Sequence, residues 1–168
     1  MATNDVQSDA AGRREPGDRG RVVRAGAGYR AEQGSDYEPG VSAETVGSQV
    51  IWLGLMTLPP GRRTRAHLHE HHETALYMIS GDELELWTGG ELQHCEAARP
   101  GDYIYIPANV LHVAVNRGAA PAVFVGSRNE ATANESVVMR PEMDARVPSP
   151  RSPATPSAIP TRTRQVPP

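Results

Sequence analysis

From residue 48 to residue 125 the chain is a series of short apolar or alternating runs, each closed by glycine, proline or asparagine. The first, SQVIWLGLMTL (48–58), is rich in β-branched, aromatic and apolar residues and stops at Pro59-Pro60-Gly61, which no helix interior tolerates. ALYMIS, ELELW, ELQHCEA, DYIYI, LHVAV and PAVFV follow. Turn signals every 8–12 residues or so predict an all-β sandwich or barrel. ELELWTGGELQHC is the clearest hairpin, because Gly89 and Gly90 can both take the positive φ of a tight turn. Helical periodicity is absent apart from one turn expected near Ala131 to Glu135.

The two ends break this pattern. Residues 1–20 are small, polar and charged, with little to bury, and are expected to be a disordered N-terminal segment. From residue 148 onward, PSPRSPATPSAIPTRTRQVPP holds seven of the fifteen prolines and is expected to be a Pro-rich disordered tail. The intervening residues, 21–147, are expected to form one antiparallel β domain, long enough to bury a core.

Composition narrows the chemistry. All 17 basic residues are arginine, so lysine Schiff-base and lysine-nucleophile mechanisms are excluded. One cysteine, Cys95, leaves no intrachain disulfide and no Cys-rich zinc site, which fits a reducing, cytoplasmic setting. A net charge of −3 and sparse aromatics give no basis for a nucleic-acid partner, and no apolar run is long enough for a membrane helix.

The densest chemistry lies in HLHEHHE (67–73), four of the six histidines and two glutamates in seven positions. On a strand His67 and His69 project to the same face, and neutral imidazole suits several transition metals. Glu73 follows four positions later, and His112 returns on the strand LHVAV after the turn IPANV. Three histidines and a carboxylate thus converge inside a β barrel.

These two stretches resemble the paired motifs of the cupin family: Gly61, His67, His69, Glu73 and Gly81 in the first, Gly101, Pro107, His112 and Asn116 in the second, with 19 residues between. The resemblance covers most of residues 40–130. It implies an antiparallel jelly-roll barrel with a metal near one open end, held by His67, His69, Glu73 and His112. Two positions depart from the pattern. Asn109 replaces a glycine, and asparagine also tolerates the left-handed conformation. Seven residues, TALYMIS, rather than the usual six separate Glu73 from Gly81, so counting back from Gly81 puts Thr74 at the ligand position. Either a bulge between Glu73 and Tyr77 restores the aim of Glu73, the preferred reading, or three histidines hold the metal alone. His71 and His72 are reserve candidates, expected on the loop or beside the site.

Three His and one carboxylate leave two adjacent positions open on a six-coordinate ion. With iron, the first choice, that arrangement suits a dioxygenase acting on a small chelating molecule such as a diketone, enediol or phenol. Zinc, nickel or manganese would instead support a non-redox isomerase or lyase. A non-catalytic small-molecule-binding module is the third alternative. Trp52, Met56, Tyr77, Trp87, Tyr103 and Tyr105 read first as core, and Cys95 as a small core residue. The arginines of GRRTR (61–65) read first as a solvated loop and otherwise as an attractor for an anionic substrate. Open sheet edges make a homodimer plausible.

Overall fold

The computed structural model describes residues 20–24, 26–133 and 136–150. The expected terminal segments 1–20 and 148–168, apart from Gly20 and residues 148–150, lie outside the described residues, as do Asn134 and Glu135 of the expected turn.

Among the described residues, twelve strands account for the fold: β1 (Tyr29–Arg30), β2 (Asp36–Val41), β3 (Trp52–Leu58), β4 (Arg62–Arg63), β5 (His67–His69) and β6 (Thr74–Ser80), then β7 (Leu84–Thr88), β8 (His94–Ala98), β9 (Tyr103–Ile106), β10 (His112–Asn116), β11 (Ala122–Arg128) and β12 (Val137–Met139). All pair antiparallel, in two facing sheets. One has the order β1-β2-β3-β11-β6-β9; the other runs β12-β5-β10-β7-β8, with β4 also on β10. This is an antiparallel jelly roll, as the family resemblance implies, and it agrees with the sandwich or barrel that the strand pattern predicts.

Period-two alternation builds the core. Along β11, Ala122, Phe124, Gly126 and Arg128 are buried, while Val123, Val125 and Ser127 between them are only partly so. On β9, Ile104 and Ile106 face in and Tyr103 and Tyr105 face out. Leu58, Met78, Leu84, Ile104, Ile106 and Phe124 meet between the sheets. Burial of each such side chain stabilises the fold by about 1.5–3 kcal/mol.

Several expectations need correction. Tyr77, Tyr103 and Tyr105 are not core: they are 39%, 82% and 61% exposed on the outer face of the first sheet. Cys95 is exposed too, because β8 is an edge strand. The β7–β8 loop takes positive φ at Gly89 and Leu92 rather than at Gly90. Elements outside the motif region escaped the sequence pattern: β1, β2, β12, a one-turn helix α1 (Ala43–Val46) and a 3-10 helix (Pro141–Arg146). β1 and β12 are two and three residues long, and β2 contains Pro39-Gly40, which breaks any strand signature.

Candidate metal centre

His67 and His112 are direct cross-strand neighbours of β5 and β10, and His69 lies two residues along β5 on the same face. All three are buried. Each offers one ring nitrogen to a cluster whose atoms lie within 4.8 Å of one another. The ring centroids are separated by 4.2 Å for His67–His112, 5.1 Å for His67–His69 and 5.4 Å for His69–His112. β5 is only three residues long, so its aim depends on its neighbours. β10 pairs with it on one side and β12 on the other, with Val137, Val138 and Met139 opposite His69, Leu68 and His67. Asn109, left-handed at φ 63°, donates its backbone N–H to the carbonyl of His69 and its side-chain amide to that of Glu70. The expected tolerance of asparagine at this turn is therefore met, and the side chain also secures the end of the ligand strand.

Two rings are oriented by the backbone. His67 Nδ1–H donates to the Arg65 carbonyl at 2.7 Å and His112 Nδ1–H to the Val110 carbonyl at 2.9 Å, which leaves Nε2 as the unprotonated nitrogen of each. Burial, first, and the neighbouring imidazoles, second, hold His67 well below the ordinary histidine range. Burial pushes His112 down to about 4. Neutral, buried imidazoles facing one another with their lone pairs are the state a divalent ion requires, so the residues present fit a metal.

Glu73 is not brought to this cluster. It is exposed, and its carboxylate accepts a 2.6 Å hydrogen bond from the Tyr105 hydroxyl on the outer face. The reason is parity. β6 starts at Thr74, whose buried side chain faces in, so its neighbour Glu73 faces out. The register shift that would re-aim Glu73 occurs instead beyond Tyr77, between the pairs Phe124–Met78 and Val123–Ser80, which leaves Ile79 as the extra residue. Thr74 thus stands at the inward position.

His72, expected on the loop or beside the site, is buried against His69 with ring centroids 4.3 Å apart. Its Nδ1 lies 3.3 Å from the Thr74 hydroxyl and its Nε2 4.0 Å from the Glu130 carboxylate, so it flanks the cluster rather than joining it. His71 is exposed. Of the GRRTR arginines, Arg63 pairs with Asp144 at 3.2 Å.

A cavity of about 60 Å³ opens between the sheets beside His67 and His112. A second, about 20 Å³, adjoins His69 and is lined by Trp52 and Arg128; Tyr37, Met56 and Thr74 border both. The Trp52 indole N–H is buried without an acceptor among the described residues. Nothing in the sequence pattern flagged Tyr37 or Gln33, which reach the cavity wall from β2 and the β1–β2 turn. Larger surface grooves of about 340 and 450 Å³ touch none of the imidazoles. No helix among the described residues is long and apolar enough to cross a membrane.

Comparison with known proteins agrees with this architecture. The family model described as "Cupin domain" matches residues 54–126. No curated protein sequence matches the chain. Among solved structures, a Klebsiella pneumoniae protein with a double-stranded β-helix domain is 18% identical with a TM-score of 0.53, over 66% of this chain and 88% of that one. An oxalate oxidase is 21% identical with a TM-score of 0.54, over 65% and 56%. A Bacillus subtilis oxalate decarboxylase is 20% identical with a TM-score of 0.52, over 71% and 30%. This chain therefore spans little more than half of the oxidase and under a third of the decarboxylase, and these likenesses speak to the fold alone. Motifs, jelly-roll topology and family match coincide on the same strands: the chain contains a cupin domain.

Proposed function

We propose that this protein is a metal-dependent dioxygenase that holds one divalent transition metal, iron by preference, on His67, His69 and His112 and acts on a small chelating organic molecule. The observation that carries the reading is the convergence of three buried imidazoles, two of which, His67 and His112, line a mostly apolar cavity between the sheets. A divalent metal bound there would supply open coordination positions for a bidentate substrate and dioxygen.

The chain's own residues do the rest. Backbone carbonyls of Arg65 and Val110 fix the ring tautomers. Leu58, Leu76, Ile106 and Phe124 keep water out of the cavity. Trp52 N–H is a donor available to a ligand oxygen beside His69. Oxygenase chemistry is favoured over isomerase or lyase chemistry because no Asp or Glu lines the cavity, and Glu73 lies outside it. Of the groups a proton-moving enzyme can use, a carboxylate is thus absent from the wall, which leaves the Tyr37 hydroxyl, bonded to Gln33, as the candidate there. Size narrows the substrate further. A 60 Å³ cavity holds roughly four to six water-sized groups, which suits a compact chelator over a bulky one.

The test is elemental analysis of untagged protein purified without added metal, followed by oxygen uptake with small diketones. Near-stoichiometric iron that is lost in His112→Ala, together with substrate-dependent oxygen consumption, is the expected result. Turnover without oxygen consumption would overturn the oxygenase reading in favour of isomerase or lyase chemistry.

A further inference from the structure

The cavity wall specifies more than size. Its larger part is hydrocarbon from both sheets: Met56, Leu58, Leu76, Leu86, Ile106 and Phe124. Most of the polar residues that share the wall are already committed to the protein. Gln33 Nε2 donates to the Tyr37 hydroxyl at 2.8 Å. The Thr64 hydroxyl oxygen accepts from the backbone N–H of Ala114 at 2.9 Å. The Thr74 hydroxyl lies against His72 Nδ1. No arginine lines the larger cavity, and the chain has no lysine to bring there.

A ligand chelated beside His67 and His112 therefore has its oxygens on the metal side and turns its far side toward this wall. Oxygen atoms on that far side would lose water and gain few donors, which is costly, whereas methyl or methylene groups would be buried favourably. We infer that the ligand of this site is a small bidentate oxygen chelator whose far side is hydrocarbon, a short-chain β-diketone or an equivalent enolate, and not a dicarboxylate. This inference rests on the metal-site reading above, and it separates the chain from the oxalate-acting enzymes whose fold it shares.

Acetylacetone and malonate form the same six-membered chelate ring and differ in bearing methyl groups or oxygens on the far side, so they isolate this contrast. Cobalt-loaded protein, with loading measured by elemental analysis, is titrated with each while the visible cobalt bands are followed. Each affinity is then divided by that for aqueous cobalt. We expect acetylacetone to be preferred at least tenfold on this corrected scale. Equal binding, or a preference for malonate, overturns the inference while leaving the metal site standing. Failure to take up cobalt overturns both readings.

Ala114, which lines the cavity two residues from His112 on the same strand, supplies the spatial check. Ala114→Leu is expected to retain cobalt and to lose acetylacetone binding by tenfold or more; unchanged binding would place the chelator elsewhere and overturn the inference. Should that variant not fold, Phe124→Leu, which enlarges the same wall, is expected to shift the preference toward heptane-3,5-dione. No shift there would count equally against it.

Discussion

Acid should destabilise the metal-free protein through His112 in a way that can be isolated. In the fold burial holds this ring down to about 4, against the ordinary 6.5 of an exposed histidine. Above pH 6.5 the ring is neutral in both folded and unfolded chains, and its contribution to stability is fully present. As pH falls, the unfolded chain takes up the proton first, and stability drains away until the folded ring also titrates near pH 4. The whole span is worth about 3 kcal/mol, and about 2 kcal/mol of it is lost by pH 5. His67, shifted in the same direction, adds to the effect. The assay is urea denaturation of chelator-treated protein at pH 8 and pH 5, for the native sequence and for His112→Gln, whose amide does not titrate. The native protein should lose about 2 kcal/mol more than the variant between the two pH values. An equal loss in both would show that His112 is not held neutral by burial, and would remove one basis for treating the cluster as poised for metal.

Other outcomes follow from the same geometry. Glu73→Gln should retain full metal content by elemental analysis and change stability by no more than about 0.5 kcal/mol, whereas His69→Ala should lose the metal. Asn116 is fully buried; its amide donates to the carbonyls of Leu58 and Ala120 and its oxygen accepts from the Gly118 N–H. Asn116→Ala should therefore lower the urea-unfolding free energy by about 2–3 kcal/mol. Gly81 sits at φ 126° with Ala122 Cα and Met78 Cε each 3.0 Å from where a Cβ would be, so Gly81→Ala should cost about 2 kcal/mol or more in the same assay.

What could be read from the sequence was what has a period or a fixed spacing. Alternation along residues 48–125 revealed strands, and His67, His69 and His112 sit in motifs whose spacing fixes their convergence. The fate of Glu73 was not readable in the same way. It depended on where the extra residue of TALYMIS would be absorbed, and a bulge before Tyr77 and one at Ile79 give opposite answers from the same letters. The tyrosines Tyr77, Tyr103 and Tyr105 alternate with apolar residues, so parity alone decides between core and surface, and parity is set by pairing partners distant in the chain. Gln33 and Tyr37 reach the cavity through a short N-terminal hairpin whose strands are too brief and irregular to carry a pattern.

The three imidazoles hang from β5 and β10, both members of one sheet, while Met56, Leu58, Leu76, Ile106 and Phe124 belong to the other. On the proposed reading, the candidate metal ligands and most of the apolar wall thus lie on opposite halves of the sandwich, with Leu84, Leu86 and Ala114 contributed by the histidine-bearing sheet. On that reading, substitutions in the opposing layer would change which molecule fits without replacing a coordinating nitrogen, because β5 is held by its pairing with β10 and β12. Such a division would make the proposed site retunable, since the apolar layer can be altered while His67, His69 and His112 stay in place.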